Sequence, residues 1–113
     1  FGRPLASLGG NRDVIANCRM AIDQARLLTL HAAWALDKHG TFGALTDISA
    51  IKVIAPNVLQ SVVDAAIQIH GGEGVTDPEL SRLMGMARAL RIADGPDEVH
   101  RAMVARLELK KYA

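Results

Sequence analysis

Apolar residues recur every three or four positions along most of this chain, with polar residues between them. The first such stretch follows Gly9-Gly10, where Asn11 can cap a helix, and it ends near Lys38-His39-Gly40. This period predicts one long helix. Charged residues recur on its opposite side, where Arg19 and Asp23 are spaced for an ion pair. The apolar positions are Val14, Cys18, Ala21, Ala25, Leu28, Ala32 and Ala35.

A second long helix is predicted after a short connection over residues 41–44. Thr46 or Asp47 can cap it. Pro56 lies in its interior, and the apolar period resumes in phase on both sides of this proline. We therefore expect Pro56 to kink the helix without ending it. One face of this helix carries Ile51, Ala55, Val58, Val62, Ala65 and Ile69.

Two shorter helices complete the predicted order. The segment Gly71-Gly72-Glu73-Gly74 ends the second helix, and Asp77-Pro78 opens a third that runs to about Leu90. The next break is Asp94-Gly95-Pro96-Asp97-Glu98, whose proline suits the first turn of a fourth helix running towards Tyr112. The sequence therefore predicts an all-α fold, and an antiparallel four-helix bundle is the economical packing.

Composition favours one soluble domain. The chain has 113 residues, 50% of them apolar, which is enough for one core and too few for a typical second domain. A net charge of +1 without a long basic run gives no support to nucleic-acid binding. Charged residues interrupt the apolar runs, so no membrane span is expected. Because the chain begins at Phe1, we expect it to be a fragment of a longer polypeptide, cytoplasmic if bacterial or in an organelle matrix if eukaryotic.

The single cysteine and the four histidines do not indicate a reactive centre. Cys18 lies on the apolar side of the first helix and is expected to be a buried structural thiol. His31 and His39 are two helical turns apart, and no carboxylate or thiol completes a metal-binding set around any histidine. No metal site is therefore predicted, and His70 and His100 are interpreted as polar packing or pocket lining.

Two short segments carry the candidate chemistry, and each has two interpretations. The glycines of the Gln68-to-Gly74 segment serve either as an ordinary helix terminus or as exposed backbone that meets a phosphate or a nucleotide. Asp94-Gly95-Pro96 is either ordinary capping at a helix start or, if a substrate carbon faces it, the site of a general base.

The order of these signals resembles the C-terminal domain of the acyl-CoA dehydrogenases. Phe1-Gly2 stands near the start, followed by two long helices, the Gln-Ile-x-Gly-Gly-x-Gly loop from Gln68, a short helix, and an acid-Gly turn before a helix with Val104-Ala105-Arg106. The resemblance covers residues 1–113. It implies a four-helix bundle preceded by an α-helical domain and a β-domain, in subunits that form homodimers or homotetramers. FAD then lies between domains and across a subunit interface.

The family resemblance also implies a reaction and its residues. Asp94 stands where most members carry the glutamate that removes the α-proton of an acyl-CoA thioester, while the flavin accepts the β-hydrogen as hydride and trans-2-enoyl-CoA forms. Gly95 matches the substrate-contacting glycine, and an electron-transfer acceptor is the implied partner of the full-length enzyme. The positions implied at FAD are Phe1, Gln68, Gly71 and Gly72, against the neighbouring subunit's cofactor, and Pro96, Asp97 and Glu98, which border it.

Three departures from the family pattern bear on this interpretation. Asp94 replaces the usual glutamate, Pro96 replaces a threonine, and Gly9-Gly10 stands where an early His-Gln pair is usual. The string from Asp94 to His100 resembles the branch that contains family members ten and eleven, in which aspartate occupies the base position. A second hypothesis is a non-catalytic helical bundle that keeps the fold for oligomerisation or partner binding. In either case the isolated chain is expected to be inactive.

Overall fold

The computed structural model describes residues 2–113, which form helices joined by short connections. Of the chain, 88% is helical, and residues 2–113 contain no strand. The predicted all-α class is therefore confirmed. The helices are α1 (Gly9–Gly43), α2 (Leu45–His70), α3 (Gly72–Thr76), α4 (Pro78–Leu90) and α5 (Asp97–Leu109), with single 3-10 turns at Leu5–Ser7 and Lys110–Tyr112.

Helix α1 begins earlier than the sequence predicts and is interrupted where it predicts an end. It starts at Gly9, so Asn11 is not its cap, and the Asn11 amide instead donates to the carbonyl of Leu5 at 3.0 Å. Gly40 has φ of +71° and breaks the helix at the predicted position. The predicted connection after it is a further short helical stretch. The predicted Arg19–Asp23 ion pair is present at 3.0 Å.

Helix α2 begins without a side-chain cap. Ala44 precedes its first residue, so the prediction that Thr46 or Asp47 caps the helix is wrong, and both residues lie inside its first turn. Pro56 is buried within α2, and the helix continues through it as predicted. Gly71, with φ of +62°, ends the helix.

The second half of the chain contains one helix that the pattern does not predict. Residues 72–76 form the five-residue α3 where the sequence predicts only a loop. Asp77 caps α4 as predicted, since its Oδ1 accepts from the N–H of Leu80 at 2.8 Å. Pro96 precedes α5 instead of lying in its first turn, because α5 begins at Asp97.

Helices α1, α2, α4 and α5 form the predicted four-helix bundle, with α2 in contact with each of the others. The radius of gyration is 17.3 Å, whereas a compact domain of this length has about 13 Å. The bundle is elongated, 60 × 25 × 25 Å. Its buried apolar residues are all small, which brings the helices close together: Ala25, Ala32, Ala35, Ala44, Val53, Val63 and Ala87.

Large apolar side chains are instead only partly covered. Trp34 and Leu27 on α1 are 53% and 66% exposed. Cys18, predicted to be buried, is only half-buried. Within residues 2–113, α2 alone is long and apolar enough to cross a membrane, a test that the core helix of a soluble protein also passes. Helix α2 contacts α1, α4 and α5, and 17% of its most apolar 18-residue window is buried.

The alanine contacts between α1 and α2 generate a test of the packing. Ala32 is 2% exposed, whereas Ala33 points to solvent. Ala32→Leu should lower the free energy of unfolding by about 1–3 kcal/mol, because added methylenes force the helices apart. Ala33→Leu should change it by less than about 0.5 kcal/mol. Urea unfolding of the 113-residue chain, followed by circular dichroism, measures both, and equal effects would contradict this packing.

Candidate functional site

The turn between α4 and α5 has an uncommon backbone conformation. Asp94 has φ of +54°, and it is the one non-glycine residue with positive φ in residues 2–113. Gly95, directly after it, has φ of +96°. A non-glycine residue in the left-handed region costs about 1–3 kcal/mol and persists only where its surroundings hold it. The turn must therefore be fixed by contacts from the rest of the bundle.

One set of contacts comes from His100 on α5. Its Nε2 lies 3.1 Å from the carbonyl oxygen of Asp94, and because a carbonyl only accepts, Nε2 carries the proton. A Cβ on Gly95 would lie 2.9 Å from the same nitrogen. Both the positive φ and this close approach require glycine at position 95.

A second set of contacts comes from Lys52 on α2. Its ammonium donates to the carbonyl of Leu90 at 2.8 Å and to the carbonyl of Gly95 at 3.1 Å. Leu90 is the last residue of α4, where free carbonyls and the helix dipole favour a cation. Lys52 thus connects the end of α4 to the far side of the turn.

A buried carboxylate fixes the start of α5. Asp97 is 2% exposed, and its Oδ2 accepts from the Asn57 amide at 3.0 Å and from Arg91 Nε at 2.9 Å. Arg91 also donates to Gln60 Oε1 at 2.9 Å, and Arg101 lies 3.8 Å from the same carboxylate. The Asn57 hydrogen bond, with Arg91 and Arg101, holds the pKa of Asp97 below its usual value despite burial.

The turn faces an open cleft of about 460 Å³ between α2 and the start of α5. The Asp94 side chain is exposed there and makes no hydrogen bond or ion pair within residues 2–113. Its N–H also donates to no acceptor in that part of the chain. Four apolar residues and three polar ones line the cleft: Ile48, Ile51, Ala55 and Pro56, with Lys52, Asp94 and His100.

The glycine loop lies at the other end of α2. Gly71 needs its positive φ, and a Cβ on Gly74 would lie 2.5 Å from the carbonyl oxygen of Ile67. Gly72 has neither constraint, because nothing lies within 4 Å of a Cβ placed there. Gly72 therefore offers open backbone that a ligand or another chain can approach closely. Gln68 lines a neighbouring cleft of about 420 Å³ with Asn11, Val14, Asp64, Ala65 and Ile69.

These two regions are too far apart to surround one small group. Pro56, the last α2 residue that lines the first cleft, and Gln68 lie 12 residues apart, which is about 18 Å along the helix axis. The structure thus brings Asp94, Gly95 and His100 together in one cleft and places Gln68, Gly71 and Gly72 elsewhere.

The remaining predicted positions fall around the start of α5. Pro96 stands at its N-terminus, Glu98 is exposed in its first turn, and the Asp97 carboxylate is turned into the bundle. Phe1 lies outside the described residues. Within residues 2–113 no group of three histidines, cysteines or acids is placed to hold a metal ion.

Sequence reasoning missed the residues that support the turn. Lys52, Asn57 and Gln60 are polar positions among the apolar residues in the middle of α2, and polarity is the signal that could have drawn attention to them. Arg91 stands within the connection itself. None of them belongs to a recognisable motif, since their partners lie 31 to 43 residues away along the chain or across the turn.

Comparisons with known proteins agree on one family. Residues 1–109 match the family described as "Acyl-CoA dehydrogenase, C-terminal domain". A relative from Mycobacterium tuberculosis named "Probable acyl-CoA dehydrogenase FadE2" is 52% identical over 98% of this chain and 28% of its own length. Mouse "Acyl-CoA dehydrogenase family member 10" is 48% identical over 100% of this chain and 11% of its own length.

A solved structure described as a "putative acyl-CoA dehydrogenase from Mycobacterium abscessus" superposes on this chain with a TM-score of 0.94. Its sequence is 62% identical, and the match covers all of this chain and 28% of that one. The chain therefore spans under a third of the length of these similar proteins.

The buried carboxylate gives a prediction for stability and its pH dependence. Asp97→Ala should lower the free energy of unfolding by about 2–3 kcal/mol at pH 7, because Arg91 and Asn57 lose a charged partner. Since folding lowers the pKa of Asp97, its contribution is complete above the unfolded pKa of about 3.9 and is lost as pH falls through the folded value. The difference in the free energy of unfolding between Asp97→Ala and the wild-type chain should thus stay constant from about pH 5 to 8, above the unfolded pKa. It should shrink in stronger acid.

Glu98→Ala is the matched control, since Glu98 is an exposed acid in the same turn of α5. Denaturant titrations at several pH values compare the two variants. An Asp97→Ala effect as small as that of Glu98→Ala would contradict the buried network.

Proposed function

This chain belongs to the acyl-CoA dehydrogenase family, whose C-terminal domain it matches, and from that we propose that the full-length protein is an FAD-dependent acyl-CoA dehydrogenase. The proposed reaction converts an acyl-CoA thioester into its trans-2-enoyl-CoA. The chain supplies the residue that takes the α-proton, and the rest of the polypeptide supplies most of the flavin and thioester sites.

The observation that carries this proposal is the unpaired Asp94 carboxylate at an apolar cleft. Apolar side chains of α2 form one wall, which suits an acyl chain, and the acid stands at the rim. A thioester carbonyl acidifies the adjacent C–H, so a carboxylate held against that carbon can accept the proton. Since no cation pairs with Asp94 within residues 2–113, its lone pairs remain available.

The backbone of the same residue suits a second role. Removal of the α-proton places negative charge on the thioester oxygen, which needs hydrogen-bond donors aimed at it. The N–H of Asp94 donates to no acceptor within residues 2–113. It is therefore available as such a donor, and the left-handed turn separates it from the helical hydrogen bonds on either side.

The glycine loop fits a cofactor that this chain does not itself enclose. When bound, FAD would supply the hydride acceptor for the β-carbon. Gln68 lies about 18 Å along α2 from Pro56, the nearest α2 residue of the Asp94 cleft, so we propose that Gln68, Gly71 and Gly72 contact the FAD of a neighbouring subunit. Open space around Gly72 is consistent with this role. Near Asp94, we propose that Pro96 and Glu98 border the cofactor. Asp97 can contribute only its backbone there, because its carboxylate is buried.

The partly covered apolar surface favours a contribution to assembly as well. Leu27, Leu30 and Trp34 on α1 are each more than half exposed, and such surfaces in a domain are normally covered by other domains or subunits. This also suits the alternative of a bundle without catalysis. Flavin absorbance and acyl-CoA-driven bleaching of the full-length protein distinguish the two.

Asp94→Asn tests the assigned base in the full-length enzyme. Asparagine tolerates positive φ and keeps the side-chain size, so the turn and FAD content should survive. Flavin reduction by acyl-CoA should slow by at least ~100-fold, the lower range for loss of a general base. Asp94→Glu should also be slower than wild type, because glutamate adopts this backbone conformation less readily. Stopped-flow absorbance measures the rates, and an unchanged rate for Asn would mean that another acid is the base.

Gly72→Val tests the proposed cofactor contact of the loop. The branched side chain would fill the space that we assign to a neighbouring subunit's FAD, so flavin content and subunit assembly should both fall. Gly85→Val is the control, because Gly85 is an equally open glycine on α4, away from the loop. Flavin-to-protein ratio and sedimentation measure the outcome. Full flavin content in Gly72→Val would leave the loop as a helix terminus alone.

A further inference from the structure

The strained turn depends on few contacts that originate outside it. Within residues 2–113, the carbonyls of Asp94 and Gly95 each meet one side chain, His100 for the first and Lys52 for the second. His100 belongs to α5, the helix that directly follows the turn. Lys52 belongs to α2, which forms the wall of the cleft. Of these two contacts, the Lys52 contact is the one that joins the turn directly to that wall.

We propose that Lys52 is a positioning residue whose ammonium clamps the Asp94 turn to α2 and so fixes where the Asp94 carboxylate and N–H stand in the cleft. The clamp itself is a property of this chain. Its effect on the reaction rests on the function proposed above.

A lysine that only caps a helix would not show this pattern. Capping the C-terminus of α4 requires a contact with Leu90 alone, and such contacts are common. Lys52 also reaches Gly95, five residues later and beyond the strained position. The two carbonyls lie on opposite sides of Asp94, so the ammonium closes the turn from both ends.

Lys52 also acts at a distance from the carboxylate. No ion pair joins Lys52 to Asp94 within residues 2–113, although both line the cleft. The contacts that join Lys52 to Asp94 therefore run through the backbone of the turn. The Arg91–Asp97 pair holds the base of the turn on the other side, where Asp97 N–H also donates to the Arg91 carbonyl at 3.1 Å.

The first test concerns the clamp alone. In the full-length protein, Lys52→Met should speed amide hydrogen exchange in the peptide covering residues 91–97 by at least ~10-fold, with exchange in α1 unchanged. Lys38→Met is the control, because Lys38 is exposed on α1 and makes no hydrogen bond or ion pair within residues 2–113. Lys52→Arg should stay near wild type, since a guanidinium can also donate to two carbonyls. Unchanged exchange in Lys52→Met would overturn the clamp.

Gln60→Leu provides a second variant if Lys52→Met does not fold. It releases the outer nitrogen of Arg91 without touching the cleft, and Gln60 is only half-buried. Exchange over residues 91–97 should again increase, but by less than the ~10-fold expected for loss of Lys52. An increase equal to that expected for loss of Lys52 would overturn the assignment to lysine.

The second test concerns catalysis and uses a double-mutant cycle. Lys52→Met should lower the limiting rate of flavin reduction by ~10- to 100-fold, because small misplacements of a reacting group have effects of that size. The acyl-CoA dissociation constant should change less than about threefold, since the carbonyls of Leu90 and Gly95 already engage the Lys52 ammonium. In an Asp94→Asn background, Lys52→Met should have no further effect on the rate.

The outcomes separate the two proposals. Additive effects of Lys52→Met and Asp94→Asn would show that lysine acts independently of Asp94, which contradicts a positioning role. If Asp94→Asn alone leaves the rate unchanged, the assigned base is wrong, while hydrogen exchange still decides whether Lys52 clamps the turn. A wild-type rate in Lys52→Met, with Asp94→Asn slow, would reject the positioning role and keep the base.

Discussion

The fold and the candidate site both depend on α2, the helix that contacts each of the other long helices of the bundle. Helices α1, α4 and α5 all pack on α2, which buries Ser49, Val53, Pro56 and Val63. A polar side chain on such a helix costs free energy unless a partner meets it. The partners of Lys52, Asn57 and Gln60 are groups in and around the α4–α5 turn. Packing and site geometry therefore have the same origin, since the polar groups of the core helix fix the turn that carries Asp94.

The small size of the buried residues explains two further features of the bundle, its close helix packing and its exposed large side chains. Alanine at the α1–α2 contact lets the helices approach closely, but it buries little apolar area per residue. Large side chains such as Trp34 and Leu27 remain on the outside of a bundle that is 60 Å long. The chain also spans under a third of the length of its relatives. Both facts suit a domain whose faces are covered in a larger assembly.

The sequence predicts the helices well because helix caps and helix breaks depend on residues that are neighbours along the chain. The break at Gly40, the cap at Asp77 and the passage of α2 through Pro56 each follow from a residue and its immediate neighbours. The wrong caps at Asn11 and Asp47 have a common cause. Each helix begins before the first polar residue able to cap it, after an apolar residue whose side chain accepts no hydrogen bond.

The candidate site is predictable only in part for a related reason. Asp94 and Gly95 stand in a recognisable string, whereas the positive φ of Asp94 and the role of Lys52 depend on groups far apart in sequence. Asp97 shows the limit most clearly. An acid in the first turn of a helix is ordinarily exposed, and only the arrival of Arg91 and Asn57 allows it to be buried.

A crystal structure of the full-length protein with FAD and an unreactive acyl-CoA analogue would test the central claim most directly. We expect the acyl chain to lie along the apolar wall of α2, with an Asp94 carboxylate oxygen about 3.0–3.5 Å from the α-carbon, the separation at which proton transfer is possible. The Lys52 contacts to Leu90 and Gly95 should be intact. A different acid closest to the α-carbon, with Asp94 directed away from the thioester, would contradict the account.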